Sequence, residues 1–460
     1  MYGTTSADGT GSTDVTGMDA TGVIEELVRR LADPGRVVAT ADAADAFVPL
    51  PGGGRNPAWH PVSLAAGYPG LAVFYGEIAA RDSSYRPVAH THLLKAAESL
   101  AANPGYGGLY TGLGAVAFAA ECVARGTGNY ASLRRSLRAG VATAVDAAVA
   151  RETARQERGE PSPGFQAWDL IEGLTGMAAH FLALQDGGEN DRLHSVLRCL
   201  VGLTDPVHID GRAHPGWWTQ CQPSAVPQPG YEEGHLNLGT AHGILGPLTV
   251  LSLAWEQGHR VPGQEEAVHR IMTTMRALKC HDGVGPYWPR HLPRHELLAA
   301  DRSPAPLPGY SWCYGTPGLA RSFQLAARAF EQPQWAAEGL DALHSMLARP
   351  LEAESLIEPG LCHGWAGTMH LLGRIGAEPA APADTRRRAL SDAAGNLRAI
   401  LLGHADREFP FLFQVPNTRV GRDFHLPGLL EGAAGIALAL LAAQDGYRHP
   451  SPWERAVLTA

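Results

Sequence analysis

A short unit recurs along this chain: two glycines three positions apart, followed by an apolar run. Copies stand at Gly67/Gly70, Gly173/Gly176, Gly243/Gly246, Gly315/Gly318, Gly364/Gly367 and Gly432/Gly435, and Thr111/Gly114 is a degenerate seventh. Such self-similarity constrains a fold more than composition does, because each unit can bury its apolar face only against its neighbours. The second glycines lie 44 to 72 residues apart, room for two helices of about 11 or 12 residues and their connections. Each unit therefore reads as a helical hairpin.

Two kinds of helix alternate. Leu133, Leu137, Val141, Val145 and Val149 recur at every fourth position, a one-sided stripe that suits an outer helix. The runs that open at the glycines, GLAVFYGEIAA from Gly70 and GIALALLAAQ from Gly435, are apolar almost all round, as inner helices should be. The expected fold is all-α, an α/α toroid or barrel of seven helical hairpins in which small glycines let inner helices approach at one end. An open solenoid is the alternative. Residues 205–234 are rich in Pro, Gly and Trp and show no helical stripe. They read as an inserted loop or strand-bearing flap, and loops of that length often serve as lids or binding elements. The polar, Gly/Thr-rich residues 1–22 read as a disordered tail, leaving residues 23–460 as a single domain.

Composition excludes some function classes. A net charge of −9 without a Lys/Arg cluster argues against nucleic acid, which is held through concentrated cations. The longest apolar stretch, Ala433 to Ala443, has 11 residues, and a membrane helix needs about 20. Six cysteines without an export signal read as reduced thiols in a cytoplasmic protein. Cys122, Cys199, Cys221 and Cys280 have no metal-like neighbours and read as packed or surface thiols.

The residues with chemical potential share one register. Cys313 and Cys362 lie two positions before a first glycine, His242 and His363 one before, and Asp169 four before. Equivalent repeats would bring all five to the same end of the barrel. Cys313, Cys362 and His363 offer two soft thiolates and an imidazole, a set that suits zinc and leaves a fourth tetrahedral position open for catalysis. The structural alternative is buried cysteines and a histidine that caps a turn.

At these residues the chain resembles a known family. NLGTAHGILG at 237–246, SWCYGTPG at 311–318 and LCHGWAG at 361–367 are similar to the three signature motifs of the LanC-type lanthipeptide (lanthionine synthetase) cyclases. WDLIEGLTG at 168–176 and LLEGAAGI at 429–436 extend the likeness over roughly residues 60–440. The resemblance implies a toroid of seven helical hairpins with Zn2+ held at Cys313, Cys362 and His363. It also implies addition of peptide cysteines to dehydroalanine or dehydrobutyrine, closing lanthionine and methyllanthionine rings. The expected partners are a dehydrated precursor peptide with its leader, a separate dehydratase and an exporter.

A free thiol is mostly protonated at neutral pH, and zinc stabilises the thiolate that must attack. The resulting enolate needs a positioned acid. His242 is the candidate, Asp169 its orienting carboxylate, and Tyr314 a donor to the enolate. The structural alternatives are a backbone-bonded His242, an Asp169 that caps a helix starting near Ile171, and a packing role for Tyr314. His235, Trp312 and His425 read as supporting or packing residues. Many family members carry arginine four positions before the cysteine of WCYG, where this chain has Gly309. Whatever that arginine provides must be missing or supplied elsewhere.

Other readings are addition of glutathione or another small thiol, a noncatalytic peptide-binding scaffold, or a prenyltransferase or glycosidase on a helical barrel. An open metal site is of no use to a scaffold, and a glycosidase would want paired carboxylates.

Overall fold

In the computed structural model, which describes residues 17–43, 46–49, 54–184, 188–224, 226–299, 302, 305–349, 358–378, 385–416 and 423–460, the chain is carried by α-helices. They are α1 (Ala20–Arg30), α2 (Pro34–Ala43), α3 (Tyr68–Arg81), α4 (Arg86–Ala102), α5 (Leu113–Ala124), α6 (Ala131–Glu157), α7 (Leu174–Leu182) and α8 (Asn190–Gly202). There follow α9 (Leu245–Glu256), α10 (Gln264–Ala277), α11 (Arg294–Leu298), α12 (Thr316–Ala329), α13 (Pro333–Ala348), α14 (Trp365–Ala377), α15 (Thr385–Gly403) and α16 (Ala433–Gln444).

The helices that open at the repeat motifs are α3, α5, α7, α9, α12, α14 and α16. Each packs on the next, and α16 packs back on α3. The ring is closed, so the fold is an α/α toroid and not a solenoid. Outside it run α4, α6, α8, α10, α13 and α15, and the stripe on α6 buries Leu137, Val141 and Val145. Among the described residues no α-helix follows α16. The place of an outer helix there is taken by α1, which packs on α16, so the seventh hairpin is assembled from both ends of the sequence. Of the expected disordered tail, residues 1–16 lie outside the described residues, whereas Ala20–Gly22 already form the first turn of α1, capped by Asp19.

The repeated glycines act mainly within their own loops. A Cβ on the second glycine of every repeat would meet the backbone carbonyl oxygen six residues earlier, from 1.8 Å at Gly367 and Gly435 to 2.9 Å at Gly246. None of these seven has a positive φ, so the requirement is for space and not for torsion. Side chains of neighbouring repeats crowd several of them too, such as Leu109 at Gly176 and Leu361 at Gly435.

Those loops are joined tip to tip. The amide of Leu64 donates to Tyr110 O, Tyr110 to Ile171 O, Leu170 to Ala241 O, Thr240 to Cys313 O, Trp312 to Cys362 O and Cys362 to Leu430 O. The amide of Leu429 completes the circuit on Ala65 O at 2.7 Å. Buried peptide groups are paired almost without exception, and here that pairing sets the mutual register of all seven tips.

The centre of the toroid is filled by the last residues. Trp453, Ala456, Val457, Leu458 and Thr459 are buried. Their carbonyls take hydrogen bonds from Tyr110 Oη (2.7 Å, on Ala456), Trp312 Nε1 (2.7 Å, on Val457) and Arg321 Nε (2.9 Å, on Thr459). Glu454 is buried against Arg374 and His370. Within 205–234 the described residues include an antiparallel hairpin, Val207–Ile209 with Arg212–His214, and the buried Trp217 and Trp218. His235–Asn237, which follows, pairs antiparallel with His291–Pro293.

Candidate functional site

The tip circuit places the chemistry. Cys313 and Cys362 stand in adjacent tips, and the carbonyl of each accepts an inter-repeat hydrogen bond, so their backbones are fixed before any ligand is present. Their side chains share a hydrogen bond. That bond, aided by the nearby charge of His363, draws the buried Cys313 thiol well below its ordinary range and pushes Cys362 well above it.

His363 sits between two carboxylates, with Nδ1 2.6 Å from Glu358 Oε2 and Nε2 3.5 Å from Glu431 Oε1. Burial disfavours its charge, yet the two carboxylates raise it to about 11. Among the described residues no group of three His, Cys, Asp or Glu is arranged as a set of metal ligands. The imidazole engages carboxylates where a third ligand would engage metal. The donor chemistry still fits zinc: two neighbouring thiols, one of them drawn toward the thiolate, beside an imidazole backed by carboxylate. Of the two ring nitrogens Nε2 is the less firmly held.

Asp169 is fully buried and does two things at once. Its Oδ2 lies 2.5 Å from His242 Nδ1, and its Oδ1 accepts from the amides of Glu172 (2.8 Å) and Gly173 (2.9 Å). The helix beyond it, α7, starts at Leu174 and not near Ile171, so the carboxylate closes the turn ahead of the helix. With Asp169 accepting at Nδ1, the hydrogen of a neutral His242 resides there and Nε2 is left for proton exchange. The His242 ring lies 5.2 Å from Phe165 and 6.3 Å from Tyr314. Tyr314 Oη accepts from Asn237 Nδ2 at 3.1 Å, which leaves the phenol hydrogen to donate. Burial raises the Tyr314 phenol above its ordinary range, so it stays protonated.

The remaining three residues bond to backbone: His235 Nδ1 to Cys221 O (3.0 Å), Trp312 Nε1 to Val457 O and His425 Nδ1 to Phe413 O (3.2 Å). Sequence reasoning missed Glu358, Glu431, Glu172, Asn237, His291 and Arg290. For two of them a signal existed: Glu172 and Glu431 occupy the same position as His242, Tyr314 and His363, one before the first glycine. Glu358 lies outside that register. At Gly309, a Cβ would lie 2.8 Å from Nη2 of Arg290, so a guanidinium from another segment occupies the space beside the glycine.

A closed toroid of hairpins with Cys313, Cys362, His363 and an Asp169–His242 pair at its tips defines the class, and the chain belongs to the lanthionine synthetase C-like protein family, matched over residues 58–458. Among curated proteins, the nisin biosynthesis protein NisC of Lactococcus lactis subsp. lactis is 24% identical over 205 residues, 44% of this chain and 48% of that protein. The match thus spans about half the length of that relative. A solved structure described as a nisin cyclase shares the fold, with a TM-score of 0.72, 18% identity, and coverage of 95% of this chain and 98% of that one.

Proposed function

We propose that this protein is a zinc-dependent cyclase that adds cysteine thiols of a dehydrated peptide to dehydroalanine or dehydrobutyrine in the same peptide, closing thioether rings. The observation that carries the reading is the meeting, at one end of a family toroid, of a Cys313–Cys362 pair with His363 on one side and an Asp169-held His242 on the other.

Cys313, Cys362 and His363 would hold the zinc, whose contribution when bound is to stabilise a substrate thiolate at neutral pH. Glu358 fixes the His363 ring through Nδ1. As the carbon–sulfur bond forms at the β-carbon, charge moves onto the conjugated carbonyl. His242, oriented through Nδ1 by Asp169, takes up the proton of the adding thiol at Nε2 and passes it to the α-carbon. Tyr314, its hydroxyl aligned by Asn237, donates to the developing negative charge. The dehydro residues require a dehydratase acting earlier, and the reduced state of all six cysteines suits a cytoplasmic setting. Among the described residues no helix is long and apolar enough to cross a membrane.

Zinc content per chain tests the reading, measured by elemental mass spectrometry on the wild type and on Cys313→Ala, Cys362→Ala and His363→Ala. About one zinc in the wild type, lost or weakened in all three, is the expected result. A folded wild type that takes up no zinc when supplied with it removes the thiolate mechanism.

A further inference from the structure

Arg290 ends the loop before the strand His291–Pro293, and its carbonyl accepts from the amide of Leu238 at 3.0 Å, which anchors its backbone beside the strand that carries Asn237. The adjacent His291 ring lies 4.9 Å from Tyr314. The Arg290 side chain is exposed and reaches across to the Gly309–Cys313 turn, where its Nη2 fills the space that a Cβ on Gly309 would need. That turn is stiff: Gly309 O accepts from Thr316 N at 3.3 Å, Ser311 Oγ accepts from Tyr314 N at 3.2 Å, and Tyr310 Oη donates to Met346 O at 3.1 Å. Arg290 makes no ion pair or side-chain hydrogen bond with any described residue. By contrast, three carboxylates of the candidate site are engaged: Asp169 with His242, and Glu358 and Glu431 with His363. Among the described residues, then, no carboxylate pairs with this always-charged fork at the turn that leads to Cys313.

We propose that Arg290 is a further catalytic residue, whose guanidinium receives the carbonyl oxygen of the dehydro residue as the thiol adds. This rests on the cyclase reading above. Dehydroalanine and dehydrobutyrine in a peptide both carry a carbonyl conjugated to the alkene, so this oxygen is present in every substrate of that reaction. In the step, the sulfur–carbon bond forms at the β-carbon and the alkene electron pair moves to place negative charge on that oxygen. The thiol proton is taken up by Nε2 of the neutral His242, and the same nitrogen then hands it to the α-carbon, so no proton is gained or lost overall. A fixed cation at that oxygen stabilises the charge as it develops and does little for the neutral ground state, so its effect falls on kcat.

The test follows ring closure in a short synthetic peptide carrying one dehydroalanine and one cysteine, with zinc content and Tm measured on every variant. Arg290→Ala is expected to lower kcat by about 10- to 100-fold with KM changed less than about twofold, and with zinc and Tm as in wild type. Arg290→Lys should keep part of the rate. Gly309→Ala, which intrudes only on the end of the Arg290 side chain, should also lower kcat in a folded protein. Combining Arg290→Ala with Gly309→Arg, which returns a guanidinium to the same place from the other side, should recover rate over Arg290→Ala alone. Unchanged kcat in Arg290→Ala, or a loss confined to KM, overturns the assignment. A zinc-loaded wild type that closes no ring sinks the cyclase reading itself, and the role of Arg290 with it.

Discussion

Asp169 holds two jobs on two oxygens, and a substitution can separate them. Asp169→Asn keeps an acceptor for the amides of Glu172 and Gly173 but loses the charge facing His242 Nδ1. Ring closure should then fall by about 100-fold or more at near-normal Tm. Asp169→Ala should lose the same rate and about 1 kcal/mol of stability besides, and activity with a chemical denaturation curve on each variant checks both. At this scale the sequence was informative where chemistry and register coincided. Cys313, Cys362, His363, His242 and Asp169 could be found because each stands at a fixed offset from a glycine. Glu358 could not, since the position six before the first glycine carries Gly309 and Leu426 in the neighbouring repeats and so shows no recurring chemical group, and Arg290 could not, since it arrives from a different segment and its relation to Gly309 exists only in three dimensions.

Helices were legible for a similar reason. Periodicity alone separates the one-sided stripe of α6 from the apolar runs of α3 and α16. What the repeated glycines do was less so. Sequence suggests close approach between helices, whereas the larger constraint is a carbonyl oxygen six residues back in the same loop, and no periodicity argument reports on the path of a turn. The clash is graded, which makes it testable. Gly367→Ala places a Cβ 1.8 Å from Leu361 O, and Gly246→Ala one 2.9 Å from Thr240 O. The first should cost about 1 to 3 kcal/mol or more, as overpacking against backbone does, and should loosen zinc at the neighbouring His363. The second should cost clearly less. Equal Tm values for the two would mean that the loops yield and that the spacing argument is wrong.

The whole molecule carries a pH dependence of its own. Burial is the leading cause that holds His92, His180 and His235 near 4 and His291 near 3, so all four are neutral when folded at neutral pH. In the unfolded chain they titrate near 6.5, and below that pH the unfolded state takes up protons that the folded state refuses. Their contribution is therefore complete above about 6.5 and drains as pH falls toward about 4, at up to about 1.4 kcal/mol per pH unit for each. Buried Glu454, held near 2 against burial by His370 and Arg374, gives way only below the ordinary carboxylate value of about 4.5 and so adds nothing to the loss between 6.5 and 4.5. Urea midpoints should drop steeply between pH 7 and pH 5, and less steeply in His180→Leu, which removes a ring with no hydrogen-bond partner for either nitrogen among the described residues. Seven units were countable in the sequence, but not that α1 completes the seventh, because no local pattern links residues near opposite ends of a chain. In an open stack of hairpins a disturbance at one tip would fade toward the free end. Here the tips form a circuit with no free end, and Cys313 and Cys362 are neighbouring links in it. A displacement at either sulfur is resisted from both directions around the loop, so the stiffness of two donor atoms belongs to all seven repeats in common.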